Sequence, residues 1–296
     1  QHLNALQVIP DGAIAFDRAG HDLALIVGVC VDRRGPYPFI LDTGAEYSTI
    51  TTGLARKLGL HLAPTPAVAE IGGCTPRSYT AKVRHWSLGQ NVLAPETLTV
   101  LPIASIGGVR FAGLLGSDVL SRFGSVGLDF ADKTLVIDGA EQRVGAQPTE
   151  VDGPGPVATP NLLGEPGPSY SVGLDVFRLG SRVRDFLWLD VGSAPHIVVL
   201  DTGSVMTGLA DPTITAAHLK PTGRAFYGVS LTCRVVQREY RVSNWSLTGS
   251  GVALPSETVH SINLGSNEDV GLLGMDVLSR FGWIVVDYRN GRLTFG

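Results

Sequence analysis

Two tripeptides in this 296-residue chain carry its strongest chemical signal: Asp42-Thr43-Gly44 and Asp201-Thr202-Gly203. Each follows an apolar run, Phe39-Ile40-Leu41 in one case and Ile197-Val198-Val199-Leu200 in the other, of the kind that forms a buried strand. Two carboxyl groups brought to about 3 Å cannot both ionise easily, so they share one proton and titrate as a coupled pair over an acidic range. The ionised member can draw a proton from a water attacking a carbonyl carbon while the protonated member donates to the carbonyl oxygen. The roles then reverse to protonate a leaving amine. That chemistry is peptide hydrolysis, and it requires no cofactor, metal or covalent nucleophile. Gly44 and Gly203 would allow a tight turn and close backbone approach, and the Thr43 and Thr202 hydroxyls can hydrogen-bond across the pair. The competing reading is that each Asp only closes an Asx-type turn after its strand.

The elements that would position the two carboxylates occur twice. Gly113 to Gly124 (GLLGSDVLSRFG) returns as Gly271 to Gly282 (GLLGMDVLSRFG) with a single difference, Ser117 against Met275. The same offset, within a residue or two, aligns the two Asp-Thr-Gly loops, His85-Trp86-Ser87-Leu88 with Asn244-Trp245-Ser246-Leu247, and Glu96-Thr97 with Glu257-Thr258. If the copies pack about a pseudo-twofold axis, the two strand ends meet and bring Asp42 beside Asp201.

Within each copy the pattern is mostly strand. Apolar runs mark Leu23 to Val31, Phe39 to Leu41, Arg184 to Val191 and Ile197 to Leu200, and each half closes in a hairpin, Val126 to Ile137 and Trp283 to Phe295. Helices are short: Thr52 to Leu58, Pro212 to Leu219, and one from Ser117 or Met275 to the glycine stop at Gly124 or Gly282. Residues 140–168 hold six prolines and no apolar periodicity, which reads as a linker between units 1–139 and 169–296.

These motifs resemble the aspartic peptidases of the pepsin and retropepsin superfamily. Ile40-Leu41-Asp42-Thr43-Gly44-Ala45, then Ile71-Gly72-Gly73, then Leu114-Leu115-Gly116 leading into a helix, is similar to the retropepsin order of active-site loop, flap and closing strand-helix. The resemblance covers both halves, as if a retropepsin-type dimer were fused into one chain. It implies a mostly β protein of two pseudo-twofold related closed lobes with short helices and a cleft between them. It also implies an aspartic endopeptidase in which Asp42 and Asp201 are catalytic, acting on a peptide or protein substrate, with the lobes paired inside a monomer. The second copy lacks Ile-Gly-Gly and has Phe226-Tyr227-Gly228, reminiscent of the Tyr-Gly of a pepsin flap. Candidate flap and substrate-binding residues are therefore Ile71, Gly72, Gly73, Tyr227 and Gly228. Ser204 against Ala45 is a second asymmetry, since a Ser204 hydroxyl bonded to a carboxylate would lower its pKa. The expected optimum lies between mildly acidic and near neutral. A catalytically silent peptide-binding or inhibitory module with the same fold is the alternative, and pairing between two chains is a third reading.

Other residues have plainer readings. Asp118 and Asp276 sit in first helical turns, with Arg122 and Arg280 at ion-pair spacing, and read as structural. Trp86 and Trp245, at matching positions, read as core. Cys74 and Cys233 occupy matching positions after their Asp-Thr-Gly loops, so a disulfide latching two flaps competes with two free thiols. The seven histidines show no metal-ligand spacing, so no metal site is expected. With 23 Lys+Arg against 27 Asp+Glu and no basic cluster, nucleic acid is not an expected partner. No apolar run is long enough for a membrane span. Gln1 in place of Met fits a trimmed terminus and leaves open a removed signal peptide, pointing to a secreted or periplasmic location.

Overall fold

The computed structural model describes residues 13–19, 24–65, 76–103, 105, 110–138, 169–229, 234–264 and 269–296. The expected linker lies outside them, as do Ile71, Gly72, Gly73, Cys74 and Cys233. Strands dominate, arranged in a ten-stranded, a nine-stranded and a six-stranded sheet.

Each Asp-Thr-Gly loop leaves the end of a central strand. Ala24–Val31 pairs antiparallel with Arg34–Asp42, and Gly113–Gly116 lies parallel to Arg34–Asp42 on its other side, Leu115 opposite Leu41. In the second half Arg182–Val191 pairs with Ala194–Leu200, and Gly271–Leu273 lies parallel to that strand, Leu273 opposite Leu200. Both loop-bearing strands are thus hydrogen-bonded along both edges, and their apolar residues Phe39, Leu41, Val198 and Leu200 are buried in one continuous core that includes side chains of both halves. Burial on both faces explains why these strands read as unbroken apolar runs rather than as alternation.

The helix Thr52–Leu58 has the bounds its sequence implies. The Thr51 hydroxyl accepts from Leu54 N–H at 3.0 Å, and Gly59 ends it in the left-handed conformation at φ 71°. The matching helix, Asp211–Ala216, is shorter than expected, because His218 takes φ 51° and turns the chain before Leu219. Trp86 and Trp245 are buried, their indole N–H groups donating to Ala94 O and Pro255 O at 2.6 and 2.8 Å.

The expected closed lobes are not found: among the described residues every sheet is open. In the ten-stranded sheet the outermost strands are Ala63–Pro64 and Asn91–Leu93, two and three residues long, too short to pair with each other and complete a barrel. The six-stranded sheet is shared. Ser125–Asp129 from the first terminal hairpin pairs antiparallel with Trp283–Asp287 from the second, Gly127 opposite Val285, and the outer strands Ile14–Ala15 and Tyr170–Gly173 flank the two hairpins.

Candidate active site

The loops that follow the two central strands meet, and each threonine reaches into the opposite loop. The Thr43 hydroxyl donates to Leu200 O at 2.6 Å and accepts from Thr202 N–H at 3.0 Å. The Thr202 hydroxyl donates to Leu41 O at 2.8 Å and accepts from Thr43 N–H at 3.0 Å. Both side chains are fully buried. Each hydroxyl spends its one hydrogen and one lone pair on the residues flanking the other half's aspartate, so the two loops are fixed to each other through four bonds.

This lattice places Asp42 and Asp201 side by side, sharing a hydrogen bond. The approach is so close that a Cβ on Gly44 would stand 2.6 Å from both carboxyl oxygens of Asp201, and one on Gly203 would overlap the Asp42 carboxyl. Only glycine fits either place. Each carboxyl also accepts from its own loop: Asp42 Oδ1 from Ala45 N–H at 3.0 Å, and Asp201 Oδ1 from Gly203 and Ser204 N–H, both at 2.9 Å. The Asx-type turn and the paired carboxyls, competing readings of the sequence, coexist in the same loops.

Burial pushes both carboxyls upward. Asp42 is raised further by the charge of Asp201, and Asp201 sits at about 6, where backbone donors and the Asp42 hydrogen bond offset part of its burial. The two titrate as a coupled pair, and burial with their mutual repulsion keeps one proton on the pair as pH rises past about 6.

The Ser204 asymmetry is not realised as expected. The Ser204 hydroxyl donates to Met206 O at 2.8 Å, and Asp201 is met by the Ser204 backbone N–H, as Asp42 is by that of Ala45. A serine hydroxyl two residues from a free carbonyl closes the local turn more readily than it reaches back.

The Leu-Leu-Gly elements lock the loops from behind. Ser117 N–H donates to Ala45 O at 2.9 Å, and Met275 N–H donates to Ser204 O at 2.8 Å. Asp118 Oδ1 accepts from the Ser48 hydroxyl at 2.8 Å, and that hydroxyl accepts from Gly116 N–H at 2.9 Å. Asp276 accepts from the Thr207 hydroxyl and N–H at 2.6 and 2.8 Å. Both carboxylates tie a helix start to its loop. The i+4 arginines act differently from the expected ion pairs: Arg122 Nε donates to the Asp118 carbonyl and its guanidinium pairs with Glu96, while Arg280 makes the same two contacts to the Asp276 carbonyl and Glu257. The arginines thus connect each helix to the strand carrying its repeated Glu-Thr.

Tyr227 and Gly228 lie in Lys220–Val229, which pairs with Arg234–Val242 as a hairpin at the edge of the nine-stranded sheet. Tyr227 is 69% exposed and stands opposite Val236, 62% exposed. The two side chains project together into solvent on one face of the hairpin.

A pocket of about 380 Å³ opens four residues beyond Asp42. It is lined by Glu46 together with Phe177, Leu179, Arg184, Phe186 and Ile197 of the other half. The Glu46 carboxylate is paired with Arg184 and lies 3.9 Å from Arg182. No sequence signal marked this pocket, because it exists only where the two halves abut. Cys30 is a free thiol. Among the described residues no group of three or more His, Cys, Asp or Glu is arranged to hold a metal, and no helix is long and apolar enough to cross a membrane.

A family model described as aspartyl protease matches residues 27–119, the stretch that holds Asp42-Thr43-Gly44 and Leu114-Leu115-Gly116. The match supports a peptidase. No curated protein matches the chain.

Proposed function

We propose that this protein is an aspartic endopeptidase whose acid and base are Asp42 and Asp201. The observation that carries the reading is the buried carboxyl pair, sharing one hydrogen bond and fixed by the reciprocal Thr43 and Thr202 bonds. A binding module has no use for two mutually repelling carboxyls held together out of water, an arrangement that costs stability at neutral pH.

In the proposed mechanism ionised Asp201 takes a proton from a bound water as its oxygen bonds to the scissile carbonyl carbon, and Asp42 donates its proton to the carbonyl oxygen. The tetrahedral intermediate then collapses. The hydroxyl proton returns to Asp42, the C–N bond breaks, and Asp201 passes its proton to the departing amine. The backbone donors of residues 44, 45, 203 and 204 orient the carboxyls throughout, so little reorganisation accompanies the charge movement.

The tandem copies, residues 1–139 and 169–296, act on this reading as two lobes about a pseudo-twofold axis, joined by residues 140–168 and paired within one monomer. The substrate is an extended peptide lying between them. The hairpin bearing Tyr227 and Gly228 covers it as a flap, with Ile71, Gly72 and Gly73 as the matching segment of the first half. The pocket beside Glu46 takes one substrate side chain.

The test is cleavage of a mixed peptide library from pH 3 to 8 by wild type, Asp42→Asn and Asp201→Asn, with and without a statine-type inhibitor. The reading expects wild-type cleavage that the inhibitor blocks, lowered by about 10³-fold or more in each variant. Peptide binding without cleavage at every pH would replace it with the silent module. Light scattering at the assay concentration checks that the active species is a monomer.

A further inference from the structure

Behind the Asp42 loop lies a buried polar cluster with no counterpart in the other half. Asp185, fully buried on Arg182–Val191, reaches across to the helix Ser117–Leu120, its Oδ2 lying 2.7 Å from Ser117 Oγ. Ser117 Oγ lies 2.8 Å from Thr43 O and 3.3 Å from the Tyr288 hydroxyl. Asp185 Oδ1 is buried without a hydrogen-bond partner.

A serine hydroxyl has one hydrogen, and a carbonyl oxygen can only accept. Ser117 can therefore hold Thr43 O and remain bonded to Asp185 only when Asp185 carries a proton and donates it. If Asp185 is ionised, the Ser117 hydrogen turns to the carboxylate and the Thr43 carbonyl loses its donor. Thr43 is bonded directly to Asp42 and supplies half of the lattice between the loops.

The duplication offers an internal comparison. Met275 stands where Ser117 does, in the single difference between the repeated segments, and Phe130 follows Asp129 as Tyr288 follows Asp287. Ile26 pairs with Ile40 as Phe186 pairs with Val199, which puts Leu25 in the register position of Asp185. Leu25, Met275 and Phe130 are apolar members of the core. One loop is thus backed by hydrocarbon and the other by a carboxyl, a hydroxyl and a phenol.

We propose that Asp185 is a positioning residue for Asp42: in its protonated form it acts through the Ser117 hydroxyl to hold the Thr43 carbonyl, and its ionisation releases that hold. This rests on the peptidase reading only for its effect on rate.

The groups facing Asp185 agree with a neutral acid at work. Ser117 and Tyr288 are uncharged partners, and Tyr288 is held above its ordinary range by burial and by Asp185. Among the described residues Arg178, on the neighbouring strand Asp175–Leu179, is the cation acting on it, and its guanidinium donates to Ser121 Oγ at 3.1 Å. On Asp185's own strand Arg184 is paired with Glu46, and Asp118, beside Ser117, is held by Ser48. Burial outweighs the Ser117 bond and the Arg178 charge and pushes Asp185 up to about 7.

The experiment compares wild type, Asp185→Asn and Ser117→Ala as full-length proteins. An asparagine amide donates to Ser117 as the protonated acid does but does not titrate. Gly44 ¹⁵N, on the far side of the Thr43 peptide bond, reports the hydrogen bond to the Thr43 carbonyl. Wild type should show a Gly44 transition near neutral pH, in addition to that of the carboxyl pair, that both variants lack. Infrared spectra at pH 5 should lose the band of one protonated carboxyl in Asp185→Asn. The ratio of kcat at pH 7.5 to kcat at pH 5 should rise about fivefold in Asp185→Asn, with KM within twofold.

A neutral Gly44 transition that persists in either variant, no acid band lost, or an unchanged kcat ratio would overturn the proposal. If Asp185→Asn does not fold, the Gly44 titration in Ser117→Ala decides alone. Should wild type cleave nothing, the peptidase reading falls, and the Gly44 and infrared titrations still judge the role of Asp185.

Discussion

Thr43 and Thr202 exchange backbone and side-chain bonds so that each hydroxyl accepts the other's N–H at 3.0 Å. The relationship is reciprocal, buried and made across 159 residues of sequence. Neither carboxyl loop has its geometry without the other.

Removing one hydroxyl should therefore disturb both loops. Thr43→Ala or Thr202→Ala strands a buried N–H and a buried carbonyl, and each is expected to cost about 2 kcal/mol or more. Thr→Ser at either position keeps the bonds and should cost less. Urea denaturation of the four variants measures this, and equal losses for alanine and serine would remove the bonds from the account.

Gly44→Ala and Gly203→Ala should be far worse for activity than for stability. The added methyl meets the opposite carboxyl rather than apolar side chains, so the carboxyls are forced apart. The expected stability loss is about 1–3 kcal/mol, typical of overpacking, with cleavage lost. A folded, fully active Gly44→Ala protein would show that the pair tolerates separation.

Four buried carboxyls, Asp42, Asp118, Asp185 and Asp201, and the half-buried Asp276 are raised above their ordinary range, each chiefly by desolvation. Unfolded, such groups titrate near about 3.9. The folded chain keeps these protons after the unfolded chain has released them, so their stabilising contribution is complete below about pH 4. It is lost as pH rises through about 6 for Asp118 and Asp201 and about 7 for Asp185, with the Asp42 loss continuing above that. Denaturation midpoints should fall steadily from pH 4 to pH 7, with a slope of up to about 1.4 kcal/mol per pH unit for each group. Asp185→Asn should flatten that slope. A midpoint that climbs over this window would contradict the burial argument.

Tyr227 is exposed, so Tyr227→Ala should change stability by no more than about 0.5 kcal/mol. On the flap reading it should still lower kcat/KM by about tenfold or more. An unchanged kcat/KM would take the hairpin out of substrate binding.

Local features were legible in the sequence: both Asp-Thr-Gly loops, the helix Thr52–Leu58, the closing hairpins and the two core tryptophans follow from apolar runs, turn residues and the repeat. What escaped depends on partners far away in the chain. Arg122 finds Glu96 rather than Asp118 because a strand places a second carboxylate within its reach. The substitution of Ser117 for Met275 was visible as the single mismatch in a repeat, yet it means nothing until Asp185, 68 residues away, arrives beside it. The open sheets were missed for a similar reason, since local strand patterns say nothing of whether outer strands can meet.

The sheet shared between Ser125–Asp129 and Trp283–Asp287 also sets an order in time. These strands pair across more than 150 residues, and closing so long a loop costs entropy before any contact repays it, so this pairing belongs to the late stages of folding. A nascent chain that has emerged only as far as residue 200 carries one carboxyl and half of the threonine lattice. On the proposed reading it is inert, and the cell meets the hydrolytic centre only when synthesis of both halves is done.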